Sequence, residues 1–247
     1  MSLAGRGVLV TRPRELAQGL AKRVADAGGR AIVFPAIEIE PLPHCGPVGR
    51  YDVVVFVSPS AVHQGSRWLG AGTKTLAVGA GTAAELATRG VKNVLHPTQG
   101  ADSEALLELS ELARVSGQHI LIVRGQGGRS LLGDTLAARG ARVEYAECYR
   151  RVRPRSDAAP VLAAWAAGEL HAVTVSSGEA LQNLLELVGA EGRHRLLDTP
   201  LFVPHARVAA QAAGARAREV VVAGAGDDEM IERLVAYFSD DRERSRS

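Results

Sequence analysis

Short apolar runs alternate with amphipathic stretches along almost the whole chain of 247 residues. Runs rich in Val, Ile and Leu are typical of parallel strands that are buried on both faces. They are GVLVT (7–11), RAIVF (30–34), VVVFV (53–57), TLAVG (75–79), HILIV (119–123), ARVEY (141–145), HAVTV (171–175), PLFVP (200–204) and EVVVA (219–223). Helical periodicity fills the segments between them, as at Leu16, Leu20 and Val24. The pattern predicts an α/β protein with parallel sheets flanked by helices.

The second half of the chain weakly repeats the first half, in four blocks that occur in the same order. The matched pairs are GVLVTRPRE (7–15) with HILIVRGQG (119–127), GGRAIVFPAIEIEPLP (28–43) with RGARVEYAECYRRVRP (139–154), VVVFVSPSAV (53–62) with AVTVSSGEAL (172–181) and, more faintly, TLAVGAGTAAELATRG (75–90) with PLFVPHARVAAQAAGA (200–215). Internal repetition of this length indicates two similar domains. On the repeats alone, the boundary between the domains falls near residues 113–118.

In the second matched pair, the segments FPAIEIEPLP (34–43) and YAECYRRVRP (145–154) alternate with period 2 and end in Pro. Such alternation marks a strand with one exposed face. We interpret them as extended connectors between the domains, which could pair with each other; ordinary edge strands are the alternative. Tyr149 lies in the second segment. A phenol is protonated at neutral pH and can donate to a leaving hydroxyl, so Tyr149 is a candidate acid. The alternative is a ring packed on the connector with its hydroxyl in water.

Charge and composition restrict the classes of binding partner and the cellular location that we expect for this protein. The formal net charge is +2, too small for an obligate nucleic-acid binder. Cys45 and Cys148 have no metal-ligand spacing, and we expect both thiols to be reduced. The opening MSLAGRG has no apolar run, and no stretch approaches the roughly 20 apolar residues of a membrane span. We therefore expect a cytoplasmic protein that has no metal site and binds neither membranes nor nucleic acids. We expect a monomer, since no heptad pattern or apolar seam is visible.

The turn VGAGTAA (78–84) reads Gly-x-Gly-x-x-Ala, which allows a dinucleotide-binding interpretation. That interpretation needs an acidic residue at the end of the next strand. The next candidate strand, VKNVLHP (91–97), ends in His96 and Pro97, and the matching turn VPHARVA (203–209) has no glycine. An NAD(P)-dependent oxidoreductase using the turn Gly79–Ala84 remains an alternative.

Most predicted strands are followed by a tight turn with Ser, Thr or Gly and then by a helix. In parallel sheets such turns gather at the carboxyl ends of the strands, where free N–H groups and the helix dipole can hold anions. The candidate anion-binding residues are Arg12, Ser58, Ser60, Gly81, Thr82, Arg124, Gly125, Ser177, His205 and Arg207. Two domains facing each other would surround a polyanionic small molecule. For Ser58, Thr82 and Ser177 the alternative is a helix cap only, and for the whole protein it is anion binding without catalysis.

The motifs in this order and spacing resemble those of uroporphyrinogen-III synthases over nearly the whole chain. They are VLVTRP (8–13), VFVSPSAV (55–62), LAVGAGTAAEL (76–86), HPTQGADSEALL (96–107), ILIVRG (120–125), GARVEYAECYRRVRP (140–154) and VTVSSGEAL (173–181). The resemblance implies two α/β domains joined by two extended linkers, with a discontinuous first domain. Domain 1 would comprise residues 1–36 and 152–247, and domain 2 residues 41–146. The linkers would be residues 37–40 and 147–151.

The resemblance implies ring closure of hydroxymethylbilane, a linear tetrapyrrole with eight carboxylates, without a cofactor. Loss of the terminal hydroxyl as water gives an azafulvene, and a spiro intermediate inverts the last pyrrole to yield uroporphyrinogen III. Tyr149 matches the family's connector tyrosine, as acid for the departing hydroxyl. Ser58, Thr82 and Ser177 match turn residues that line the cleft, and Arg12 and Arg124 follow the first strand of each half. Many relatives have a Gly-x-Thr turn where this chain has VPHARVA, so Arg207 would replace those contacts with a charged fork.

Overall fold

The computed structural model describes residues 2–43, 46, 49–224 and 226–244. Cys45, for which we expect a reduced thiol, lies outside these residues. The chain divides into two compact units: unit 1 comprises residues 1–38 and 152–247, and unit 2 comprises residues 39–151. Among the described residues, each unit is built on one five-stranded sheet flanked by helices, which confirms the predicted α/β class.

Unit 1 contains a parallel sheet in which the first strand pairs with a strand from the far side of the discontinuity in the chain. Its strands are β1 (Gly7–Val10), β2 (Arg30–Val33), β8 (Ala172–Thr174), β9 (Leu201–Val203) and β10 (Val220–Val222). Its helices are α1 (Arg14–Asp26), α7 (Ala159–Ala166), α8 (Gly178–Asp198), α9 (Ala206–Gly214) and α10 (Asp227–Arg244). The spatial order is β10-β9-β8-β1-β2, with parallel pairing throughout. Val8 and Val10 of β1 pack with Leu20 of α1 and Leu234 of α10 in one buried cluster.

Unit 2 contains the second sheet, in the order β3-β7-β6-β4-β5. Its strands are β3 (Glu38–Pro41), β4 (Tyr51–Phe56), β5 (Gly72–Ala77), β6 (His119–Gly125) and β7 (Arg142–Val152). Its helices are α2 (Pro59–Gln64), α3 (Ala80–Thr88), α4 (Ser103–Leu107), α5 (Ser110–Ala113) and α6 (Leu131–Ala138). Along β4, Val54 and Phe56 join one buried cluster, whereas Val53 and Val55 join another. Burial on both faces explains why this strand is a continuous apolar run.

The two halves of the internal repeat do not coincide with the two units. By the repeat, β1 and β2 correspond to β6 and β7, while β4 and β5 correspond to β8 and β9. Unit 1 has the order β2-β1-β8-β9, and unit 2 has the equivalent order β7-β6-β4-β5. In each sheet, two of these four equivalent strands come from the first half of the chain and two from the second half. The boundary near residues 113–118 is wrong, because strand pairing, not sequence ancestry, decides which segments form a unit.

All nine apolar runs contain a strand, but the candidate strand at 91–97 is wrong. There, Leu95 makes only an isolated bridge to Leu76. Asn93 has a positive φ of 55°, which interrupts the extended backbone, and its side chain is exposed. The two period-2 blocks form β3 and most of β7, which are neighbours in the sheet of unit 2. Their role as linkers between the units stays a prediction.

Candidate active site

Ser58 lies just beyond the carboxyl end of β4, where the chain turns into α2. Its backbone is extended, with φ −167°, and its Oγ accepts a hydrogen bond of 3.0 Å from the N–H of Ala61. It is therefore the N-cap of α2, as the cap interpretation of this residue predicts. The same Oγ lies 2.9 Å from the phenol oxygen of Tyr149. The cap and the tyrosine contact thus coexist on one hydroxyl.

Tyr149 reaches Ser58 because β7 contains a β-bulge. Arg124 pairs with Glu147, but the next residue on β6, Gly125, pairs with Tyr149, so Cys148 is an extra residue on β7. Period 2 places Ala146 and Cys148 on one face of the strand. The bulge lets Tyr149 join them in the same buried cluster, and the residue is 2% exposed. Bulges commonly re-aim side chains next to active sites.

Gly125 lies directly against the ring of Tyr149. A Cβ on Gly125 would stand 2.7 Å from the ring atoms Cε2 and Cζ and 3.1 Å from the phenol oxygen. The N–H of the next residue, Gln126, donates a 2.7 Å hydrogen bond to the carbonyl of Tyr149. Both the side chain and the backbone of Tyr149 are therefore held by the end of β6.

Arg124 anchors the loop that follows β6. Its guanidinium donates to the carbonyls of Gly128 at 3.0 Å and Arg129 at 3.2 Å, and it lies 3.2 Å from a carboxylate oxygen of Glu147. It also stacks on the ring of Tyr145, 4.7 Å from the centroid. Sequence reasoning missed these partners, although Glu147 is the register neighbour of Arg124. Whether Arg124 also contacts a substrate stays a prediction.

The remaining candidates of unit 2 lie at the starts of α2 and α3. Ser60 is buried in the first turn of α2, and Thr82 is buried inside α3, whose N-cap is Gly79. Thr82 is therefore not the cap of its helix. Gly81 is exposed, and a Cβ there would meet nothing within 4 Å. Of these three residues, Gly81 is the exposed one.

The Gly79 turn has a packing explanation. A Cβ on Gly79 would stand 2.6 Å from the Cβ of Ala101, so glycine is required there for close packing. The segment expected to supply an acidic strand end is not a strand, and Asp102 caps α4 by accepting from Ala105 N–H at 2.9 Å. The glycine and the acidic residue that a dinucleotide site would use near this turn therefore have structural roles, in close packing and in capping α4.

In unit 1 the predicted residues lie at the carboxyl ends of β1, β8 and β9. Arg12 forms an ion pair with Asp227 in the first turn of α10. Ser177 caps α8 by accepting from Ala180 N–H at 3.1 Å. His205 occupies the N-cap position of α9 with an extended backbone, and both His205 and Arg207 are exposed. Sequence reasoning did not single out Thr11, whose buried hydroxyl donates at 2.7 Å to the carbonyl of Thr174 and ties β1 to β8.

Three of the ionisable groups with shifted pKa values, Tyr51, Glu144 and His171, lie at or near the amino ends of strands. Burial lowers the pKa of His171, and the charge of Arg6 lowers it further. The Nδ1 of His171 accepts the N–H of Gly7 at 3.0 Å, which requires a neutral ring. In unit 2, burial alone would raise the pKa of Glu144, but hydrogen bonds from His119 and Tyr51 outweigh it and lower the value.

Among the described residues, the structure shows no sign of a metal site or a membrane-spanning helix, and it contains a surface depression in unit 2. No group of three His, Cys, Asp or Glu side chains in this part of the chain could hold a metal ion. None of its helices is long and apolar enough to cross a membrane. A surface depression of about 690 Å³ in unit 2 lies along β5 and the loop after α3, and neither Ser58 nor Tyr149 lines it.

Comparison with known proteins gives consistent results. The family model described as uroporphyrinogen-III synthase HemD matches residues 18–232. The uroporphyrinogen-III synthase of Escherichia coli K12 is 36% identical over 243 residues, covering 92% of this chain and 99% of the relative. That of Salmonella typhimurium LT2 is 34% identical, with the same coverage.

Two solved structures share the fold. The uroporphyrinogen-III synthetase of Helicobacter pylori 26695 has a TM-score of 0.59 at 11% identity, covering 94% of this chain and 99% of that one. A mutant uroporphyrinogen III synthase of Thermus thermophilus has a TM-score of 0.54 at 17% identity, covering 96% of this chain and 100% of that one. At these identities the likeness concerns the fold alone.

Proposed function

Because this chain belongs to the uroporphyrinogen-III synthase family, and so is a hydro-lyase of tetrapyrrole biosynthesis, we propose that Tyr149 is the acid of its reaction. The substrate is hydroxymethylbilane, and the proton of the phenol goes to the hydroxyl that leaves as water. The observation that carries this proposal is the 2.9 Å contact between the phenol oxygen of Tyr149 and Ser58 Oγ.

The partner of the phenol suits proton donation. One lone pair of Ser58 Oγ accepts the N–H of Ala61, which leaves the hydroxyl proton of Ser58 available to donate to Tyr149. When Ser58 donates in this way, the phenol proton points away from Ser58, toward a leaving group. After transfer, the same hydroxyl stabilises the phenolate by a charge-assisted hydrogen bond.

The proton balance closes within one turnover. The bond from the terminal methylene to its hydroxyl breaks, the phenol proton completes a water molecule, and a protonated, cationic azafulvene remains beside the phenolate. Water is the only other product, so the proton that the last pyrrole loses on ring closure must be returned. Tyr149, as phenolate, is the base that accepts it, and the phenol is restored.

We propose that the carboxylates of the substrate bind at the starts of α3, α8 and α9. The first N–H groups of a helix have no acceptor within the helix and lie at the positive end of its dipole. Gly81 in α3 and His205 and Arg207 at α9 are exposed, and Ser177 at α8 is half-buried. Arg207 adds a charged fork that fits a carboxylate. Arg12 and Arg124 hold internal partners, so we assign them to shaping the turns that follow β1 and β6.

An assay that resolves product isomers tests this function. Freshly made hydroxymethylbilane closes spontaneously to the type I ring, so the type III isomer reports catalysis with inversion. We expect mostly type III product from the purified protein without added cofactor. Type I product alone would overturn the proposal. Light scattering of the same sample tests our further proposal that the enzyme is a monomer.

A further inference from the structure

We propose that Gly125 is a positioning residue: its missing side chain lets the ring of Tyr149 lie across the end of β6 with its hydroxyl on Ser58. The inference rests on the proposed role of Tyr149. In this role Gly125 acts only through Tyr149 and does not itself contact the substrate.

The geometry around Gly125 supports this role. A Cβ would stand 2.7 Å from two ring carbons of Tyr149, closer than real Cβ contacts come. The ring cannot easily give way, because Tyr149 is 2% exposed and packs in the cluster that contains Phe56, Ala61 and Val123. Any residue larger than glycine must therefore move the phenol relative to Ser58.

The bulge makes Gly125 the register partner of Tyr149 on β6. The register shift falls between Arg124 and Gly125, so the side chain at 125 and the re-aimed tyrosine meet at one level of the sheet. The carbonyl of Tyr149 accepts the N–H of Gln126, which fixes the backbone on the other side. Glycine at 125 and the extra residue Cys148 together form one device that aims the phenol.

Kinetics of a double-mutant cycle test the proposal. We expect G125A to lower kcat at least about tenfold while KM stays within about threefold, as for loss of a well-placed acid. In the Y149F background the same substitution should change kcat less than about twofold, because no phenol proton is left to misplace. The control G128A lies in the same loop, where a Cβ would come no closer than 3.4 Å to another group. It should keep kcat within about twofold.

The outcomes separate this inference from the proposed function. If G125A lowers kcat by the same factor in the wild-type and Y149F backgrounds, or if it raises KM instead, the positioning role is wrong. Either result would favour a direct contact between Gly125 and the substrate. Unchanged kcat in Y149F alone overturns the acid role of Tyr149 instead.

Stability gives a measurement that does not depend on turnover, and it covers the case in which G125A fails to fold. Removal of the ring should relieve the clash, so G125A should lower the melting temperature less in a Y149A background than in the wild type. If G125A alone does not fold, G125A/Y149A should. An equal decrease of the melting temperature by G125A in the wild type and in the Y149A background would overturn the proposal.

Discussion

The phenol oxygen of Tyr149 lies 2.9 Å from the Oγ of Ser58, although the two residues are 91 positions apart in the sequence. Ser58 follows the end of β4, and Tyr149 follows a bulge in β7. The contact joins a helix cap to a candidate acid. It therefore links the folding of α2 to the chemistry of the site.

Replacement of Ser58 by Ala should affect both stability and rate. Loss of the cap should lower the free energy of unfolding by about 1 kcal/mol. Loss of the hydrogen bond to the phenolate should also lower kcat severalfold, and S58T should restore most of it. Denaturant unfolding and initial rates measure the two effects. The matched variant S177A removes the equivalent cap of α8, so it should cost similar stability. A fall of kcat in S177A as large as in S58A would contradict the special role of Ser58.

Arg207 should contribute to substrate binding rather than to the chemical step. R207Q removes one exposed charge at the start of α9, and we expect KM to rise about three- to tenfold with kcat nearly unchanged. The effect should shrink at high salt, because exposed charges are screened. R218Q removes the same charge from an exposed residue that precedes β10, at the amino end of that strand. An equal rise of KM in R218Q would show that only net charge matters.

Substitution of Arg124 by Lys should loosen the loop after β6. Lysine keeps the charge, but it lacks the fork that reaches the carbonyls of Gly128 and Arg129. We expect faster hydrogen exchange in residues 126–130 and a lower kcat. In the same loop, R129K should have little effect, because the ion pair of Arg129 with Glu104 is about half exposed on both sides. Unchanged exchange in R124K would contradict the anchoring role.

Stability should fall as the pH drops through the region in which His171 titrates. In the unfolded chain a histidine has a pKa of about 6.5. Burial holds the folded pKa of His171 below that value, so the native state binds fewer protons than the unfolded state. The stabilisation is therefore complete above about pH 6.5 and is lost as the pH falls toward the folded pKa. H171N, which can still accept from Gly7 N–H, should flatten the change of urea midpoint between about pH 7 and pH 5, whereas H194N, at an exposed site, should not. Identical slopes in both variants would contradict this assignment.

The apolar runs were sufficient to predict every strand of the described residues except β3, because buried parallel strands leave a continuous signature. The local break at Asn93 was not predictable, since the apolar residues around it resemble a strand. The repeat showed two similar units, but not that each unit takes strands from both halves. Pairing between distant segments, such as β1 with β8, leaves no local trace in the sequence.

The positions of the turns were predictable from the sequence, but the geometry of the side chains around them was not; that these turns form the site stays a prediction. Ser58 and Tyr149 were singled out separately, from a cap position and from a connector. Their contact depends on the bulge at Cys148, and strict period-2 alternation would place Tyr149 on the opposite face from Cys148. The internal partners of Arg12 and Arg124 were likewise invisible, because each partner lies on another element.

The turnover number of Y149F with freshly made hydroxymethylbilane tests the central claim most directly. The substitution keeps the buried ring and removes only the proton donor, so the fold and KM should be preserved. We expect formation of the type III isomer to slow at least about tenfold, while spontaneous type I product accumulates instead. Type III formation at the wild-type rate, from a folded Y149F enzyme, would contradict the account.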